Sequence, residues 1–305
     1  MDLRPLAPDF GAEVLGATLI DVTERDDAYA FVRAAFEEHS VLLFRNQQIS
    51  DELQAAYSRR FGELEIAKVA SLGEGTPFSI LTNVDRATGA LVAPDHKEAL
   101  RARANQLWHT DSSFKAQPAL ASVLSARTIP PSGGETEFAS QRSAWARLPE
   151  DMRARIADLC VWHDYAHSRG QIAPHLASER ERNAMPPVCW RIRWRNPVNG
   201  RDALYLASHA YAIEGMPREE GYALIRELIA HVTDPAHTYL HRWQAGDVVM
   251  WDNRATMHRG RPWPDNLHAR LMKRTTISAS DADGVAATRA PCSGETVGRV
   301  LQAAG

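Results

Sequence analysis

The sequence predicts a mainly β fold with helices packed around it, a double-stranded β-helix or jelly roll. Three observations point there. Short apolar or alternating segments suited to strands are scattered over the whole chain, with turn residues between them. Helical patterns cluster near the start, in the middle and late, without the one-to-one strand–helix alternation of a parallel sheet. No internal repeat or linker divides the 305 residues, which suffice for one large core. The expected layout is a single domain over residues 1–278. A small, polar C-terminal tail, 279–305, is expected to be loosely ordered.

The elements follow in order. Residues 12–20 are apolar and β-rich and read as a strand. Thr23 is a candidate cap for a helix starting near Glu24, with Ala28, Phe31, Val32, Ala35 and Phe36 at helical spacing on one face. Val41–Phe44 reads as a buried strand. Ser50 caps a second helix, whose first turn carries Asp51 and Glu52, and Gly62 ends it. Residues 78–83 read as a strand. Residues 84–104 are polar without a period, which predicts a lid before the next motif. Leu120–Arg127 reads as a strand, ended by the turn Pro130-Pro131-Ser132-Gly133-Gly134. Two helical pieces follow, around 143–148 and 150–159, then an extended stretch at 160–166 and an irregular one at 168–190. Residues 190–195 alternate strictly, with Trp190, Ile192 and Trp194 on the apolar face and arginines on the solvated one. Asn199-Gly200 marks a hairpin turn to a strand at 203–207. Pro217 opens a helix running to about Val232. Residues 246–251 and 271–277 are two further strands.

Composition excludes several classes. The chain is 44% hydrophobic and 24% charged, with formal net charge −3. That balance carries no footprint for nucleic acid or an anionic membrane. No apolar run approaches a membrane span, and the N-terminus lacks a signal-peptide pattern. Cys160, Cys189 and Cys292 are odd in number and form no CxxC pair, so free, mostly buried thiols and a cytoplasmic location are expected.

The chemistry centres on Trp108-His109-Thr110-Asp111. On an extended segment His109 and Asp111 point to one face, so an imidazole and a carboxylate converge. This is two thirds of a 2-His-1-carboxylate metal set. The same pattern also suits a surface turn in which the carboxylate orients the imidazole. The candidate third ligand, His258, follows the apolar stretch Val248-Val249-Met250. The pairs His163/His167 and His237/His241 have i,i+4 spacing but no accompanying HExxH glutamate, and read as ordinary surface or core residues. Past His258, Arg270, Met272 and Arg274 face one way on a strand. Inward guanidinium groups are costly unless they bind anions, which they clasp in bidentate fashion. The alternative is arginines that reach solvent or a structural carboxylate.

These stretches, NQLWHTDSSF (105–114), PPSGGETEF (130–138), RNAMPPVCW (182–190), HRWQAGDVVMWDNRATMHRGR (241–261) and KRTT (273–276), with VLLFRNQQIS (41–50), resemble the taurine / 2,4-dichlorophenoxyacetate dioxygenase family of Fe(II)- and 2-oxoglutarate-dependent oxygenases. The likeness covers residues 10–278 and is greatest to the 2,4-dichlorophenoxyacetate branch. It implies that His109, Asp111 and His258 bind Fe(II). Thr136 and Arg270 would hold 2-oxoglutarate, in a pocket lined by Trp243. Arg274 would hold the acidic group of the substrate, with Asn105, Lys68 and His209 nearby. The loop from His258 to Arg270 is one residue longer than the family pattern, with Ala269 where strict counting puts the arginine. A one-residue insertion accounts for this and keeps the Arg270–Arg274 spacing. The implied activity is hydroxylation of an aryloxyalkanoate by O2, with ascorbate as an activator in vitro. The same machinery acting on taurine, another sulfonate or sulfate, or a different aromatic acid is the alternative. The implied partners are a small anionic substrate and further copies of the chain, with no nucleic acid and no membrane.

Overall fold

The computed structural model describes residues 1–290. A seven-stranded sheet runs in the spatial order β1 (Asp2–Pro5), β2 (Ala12–Leu15), β3 (Val41–Phe44), β13 (Val248–Asp252), β5 (Ala119–Thr128), β15 (Leu271–Ser278) and β4 (Phe78–Thr82). All its pairings are antiparallel except β2 with β3. A three-stranded antiparallel sheet has the order β12 (Thr238–His241), β6 (Thr136–Ser140) and β14 (Thr256–Gly260).

Both faces of the large sheet are buried, which is why its strands read as nearly continuous apolar runs. Side chains alternate between the faces. Leu42, Phe44, Val248 and Met250 pack in one core with Phe36 and Tyr57, from the helices Asp26–His39 and Asp51–Arg59. Val41, Leu43, Val249 and Trp251 pack in another core with Phe138 of β6. Phe138 therefore joins the two sheets, with its ring 5.6 Å from that of Trp251. Truncating such a side chain to Ala costs about 3–5 kcal/mol. On β15 the alternation puts Met272 and Arg274 toward the small sheet. Lys273 and Thr275 face the helices, where they meet Asp51 and Ser58.

The helix Asp26–His39 buries Ala28, Val32, Ala35 and Phe36 and ends at Ser40 in the left-handed conformation. Buried Arg254 ties this helix to β13, donating to Asp252 at 2.9 Å and to Glu37 at 2.8 Å. A third core surrounds the helices Gln141–Arg147 and Arg218–Val232. It includes Val161 of β7 (Cys160–His163) and Ile213 of β11 (Ala210–Ile213). β7 pairs with β8 (Val188–Arg191) as well as β11.

Several sequence expectations need correction. The strand expected over 12–20 stops at Leu15. A helix, Leu19–Glu24, follows and is capped by Thr18 through a capping box with Asp21. Thr23 caps nothing: its hydroxyl donates to Leu19 O inside that helix. The segment 84–104 holds the helix Lys97–Ala104, and 168–190 holds the helix Glu179–Ala184 and most of β8. The alternating stretch 190–195 breaks at Ile192 into β8 and β9 (Arg193–Arg195). Its three apolar side chains are buried as expected. β9 turns through Asn199-Gly200 to β10 (Asp202–Leu204), with Gly200 at φ +70°. In the tail, residues 279–290 are held: Trp194 donates its indole N–H to Asp283 O at 3.0 Å, and Arg289 bridges to Trp190. The rest of the expected loose tail lies outside the described residues. Cys160 is a free, partly buried thiol, and Cys292 lies outside the described residues. Among the described residues no helix is long and apolar enough to cross a membrane.

Candidate metal centre and adjoining cavities

His258 is the middle residue of β14. His109 reaches it from the segment before β5, and the two exchange backbone hydrogen bonds of 3.0 and 2.8 Å. That bridge fixes their rings with centroids 4.2 Å apart. Asp111 follows on the same side. The ligand atoms of His109, Asp111 and His258 all lie within 4.8 Å of one another, and among the described residues no other such cluster forms. The rival histidine pairs are occupied elsewhere. Nδ1 of His163 meets Ser113 Oγ at 3.1 Å, and buried His241 lies 3.1 Å from Asp247.

The carboxylate of Asp111 is held from both sides. One oxygen lies 3.9 Å from His109 Nε2 and accepts a hydrogen bond from Arg274 Nη1. The other lies 3.6 Å from His258 Nε2 and accepts from Ser122 Oγ at 2.7 Å. The Asn253 side-chain amide accepts from Asp111 N–H at 3.1 Å and donates to Ser122 Oγ at 3.0 Å, which locks the group. Nδ1 of His109 pairs with Leu107 O at 2.7 Å, leaving Nε2 toward Asp111. Such outer partners are typical of metal-ligating histidines.

The electrostatics suit a cation. Burial depresses the pKa of His109, helped by Arg169 and Arg274 and opposed by Asp111. Burial also depresses His258 strongly, with His109 adding to the effect. Both imidazoles therefore stay neutral, as metal ligands must. For Asp111 burial acts upward, but the Arg274 guanidinium and the Ser122 hydroxyl hold the pKa below the usual carboxylate range. A neutral–neutral–anionic donor set of buried side chains fits a divalent first-row metal.

Two cavities meet at this cluster. His109, Asn105, Arg101 and Arg274 line both. The first continues past His258 and Thr136 to Trp263 and Arg270. Thr136 opens β6, and its hydroxyl accepts the indole N–H of Trp243 at 3.0 Å. Arg270 lies just before β15, over the ring of Trp263 at 5.3 Å. It donates to Gly134 O at 3.1 Å through Nη2, while its buried Nε has no partner. Burial lowers its pKa to about 10, with Glu135 opposing, so it remains cationic at neutral pH. It is thus Arg270, rather than Ala269, that lines the cavity. The second cavity contains Asp111, Lys68, Phe114, Tyr165, Arg169 and His209. Lys68 pairs with Glu181 at 2.9 Å. His209 is buried, its Nδ1 lies 3.2 Å from Ser113 Oγ, and burial holds it neutral.

Nine of the ten residues singled out in the sequence line these two cavities; Trp243, expected to line the cosubstrate pocket, lines neither and touches the site through Thr136. The sequence reading missed Ser122, Asn253, Asn83 (whose Oδ1 accepts Arg270 N–H at 2.8 Å), Trp263, Arg169 and Glu181. Asn253 was approachable from its place just past an apolar strand. The others carry no spacing signal.

Comparison with known proteins agrees with this geometry. Residues 2–276 match the family model "Taurine catabolism dioxygenase TauD, TfdA family". The chain is 38% identical over 286 residues to an alpha-ketoglutarate-dependent 2,4-dichlorophenoxyacetate dioxygenase of Cupriavidus pinatubonensis, covering 90% of this chain and 96% of that one. It is 34% identical to an (S)-phenoxypropionate/alpha-ketoglutarate-dioxygenase of Sphingobium herbicidovorans, covering 93% and 97%. It is 30% identical to an alpha-ketoglutarate-dependent sulfate ester dioxygenase of Pseudomonas putida, covering 93% and 92%. Among solved structures, AAD-2 in complex with Mn(II) and N-oxalylglycine superposes with a TM-score of 0.84 at 36% identity, over 92% of this chain and 98% of that one. The chain belongs to the TauD, TfdA family and is an Fe(II)- and 2-oxoglutarate-dependent dioxygenase that uses O2.

Proposed function

We propose that the protein hydroxylates an aryloxyalkanoate, such as 2,4-dichlorophenoxyacetate, on the carbon next to the ether oxygen. The products are a phenol and glyoxylate, with succinate and CO2 from the cosubstrate. Herbicide degradation is the role this implies. The observation that carries the reading is the meeting of two unlike cavities at the His109–Asp111–His258 cluster. One ends at a buried arginine, and the other joins aromatic walls, Phe114 and Tyr165, to cationic groups. The higher identity to the phenoxy-acid relatives than to the sulfate ester dioxygenase supports the same choice. We also read the seven-stranded and three-stranded sheets as the two walls of a double-stranded β-helix.

In this reading His109, Asp111 and His258 hold Fe(II), which supplies O2 activation coupled to decarboxylation of 2-oxoglutarate. Arg270 and the Thr136 hydroxyl bind the cosubstrate, and Trp243 fixes Thr136. A guanidinium has five N–H donors, and Asp111 accepts one from Arg274. The remaining donors of Arg274 hold the substrate carboxylate, with Asn105, Lys68 and His209 around it. The buried walls exclude water and keep the target C–H at the metal. Hydroxylation there gives a hemiacetal, which breaks to phenol and glyoxylate.

The test is succinate release with Fe(II), 2-oxoglutarate and ascorbate, in parallel tubes with 2,4-dichlorophenoxyacetate and with taurine. Phenol in the first tube alone, lost in His109→Ala, is the expected result. Sulfite from taurine without phenol would overturn the substrate class.

A further inference from the structure

We propose that Arg169 is a specificity residue for the anionic group of the substrate, acting beside Arg274 in the cavity lined by Phe114 and Tyr165. This rests on the dioxygenase reading and extends its substrate site. Most cations on this cavity already have carboxylate partners. Lys68 and Arg101 share Glu181, at 2.9 and 3.0 Å. Lys115 is paired with Glu65, and Arg274 gives a donor to Asp111. Arg169 lines the same cavity without an ion pair among the described residues, and its Nε is buried with no hydrogen-bond partner. A partly buried guanidinium left this way is costly unless a ligand completes it.

Its surroundings indicate what that ligand is. Arg169 closes the short helix Tyr165–Gly170 and lies over the ring of Tyr165 at 4.6 Å. The Tyr165 ring is 5.0 Å from Phe114, whose ring is 4.6 Å from His209. His109, Asp111 and His209 line the same cavity as Arg169. An anion taken up in the cavity that Arg169 and Arg274 share thus lies next to the metal cluster and against an aromatic wall. An aromatic carboxylic acid satisfies both features. A planar guanidinium binds carboxylate in a bidentate fork that lysine does not reproduce.

The experiment compares wild type, Arg169→Gln and Arg169→Lys, with phenoxyacetate and its uncharged amide as probes. Turnover is followed by succinate, and binding by calorimetry on the Fe(II)–2-oxoglutarate protein without O2. Loss of a charge-assisted hydrogen bond predicts a rise of about tenfold or more in KM and Kd for the acid in Arg169→Gln. The KM for 2-oxoglutarate and the binding of the amide stay within about twofold, and Arg169→Lys recovers only part of the affinity. Equal binding of the acid by wild type and Arg169→Gln overturns the proposal. So does a wild-type chain that binds the acid no better than the amide. Binding that behaves as predicted without turnover would keep Arg169 as an anion site and reject the phenoxy-acid reading instead.

Discussion

Ser122 and Arg274, from neighbouring strands of the large sheet, each donate a hydrogen bond to a different oxygen of Asp111. The carboxylate is therefore set in place before any metal arrives. This separates orientation of the ligand from its identity. Ser122→Ala should weaken metal affinity by about tenfold, at the mild end of outer-partner losses. Fold and Tm should change little. Titration with Fe(II) or Co(II), read alongside thermal unfolding, checks it. Unchanged affinity would mean that Asn253 and Arg274 suffice.

Gly134 stands against Arg270. Its φ is +71°, and a Cβ there would meet Arg270 Nε at 3.1 Å and Cδ at 3.2 Å. Gly134→Ala adds backbone strain of about 1 kcal/mol and displaces the guanidinium. The expected result is a KM for 2-oxoglutarate raised at least severalfold, with the KM for the aromatic acid nearly unchanged. Arg270→Met should raise the 2-oxoglutarate KM by about a hundredfold, as fits loss of a buried charge-assisted pair. Steady-state succinate kinetics at varied 2-oxoglutarate separate these effects from loss of metal.

Glu181 makes a pH prediction. Burial acts to raise its pKa, but the Ser178 backbone N–H and the Lys68 ammonium more than offset this and bring it down to about 2. A carboxylate depressed in the folded state adds stability that is present above its ordinary value near 4.5. That stability is lost as pH falls toward 2. Unfolding free energy measured between pH 5 and 2 should therefore fall less steeply in Glu181→Gln than in wild type. At neutral pH the variant should be less stable by about 3 kcal/mol, because Lys68 and Arg101 lose their shared partner.

The His109/Asp111 pair was legible only as a possible metal set, since its spacing also suits a surface turn; with the distant His258 it became a ligand set through the family resemblance. Val41–Phe44 was legible because both faces of its sheet are buried. The helix Lys97–Ala104 was not, because only Ala99 and Ala104 are buried along it and leave no strong apolar period. The helix Glu179–Ala184 is polar and owes its start to a capping box, Ser178 with Glu181. Thr23 caps nothing because it lies inside the unexpected helix Leu19–Glu24, and the next helix, Asp26–His39, starts at Arg25 without a side-chain cap. Arg169 and Ser122 gain meaning only from neighbours distant in sequence, so no spacing announces them.

The account rests on His109, Asp111, His258 and Arg270 forming one metal–cosubstrate centre from separate segments. Anaerobic addition of 2-oxoglutarate to the Fe(II)-loaded protein tests that most directly. Wild type should develop the weak visible charge-transfer band of the bound keto acid. His258→Ala should show none, and Arg270→Met should need far more 2-oxoglutarate to reach the same band. A band that survives intact in His258→Ala, or forms at the same concentration in Arg270→Met, would contradict the account.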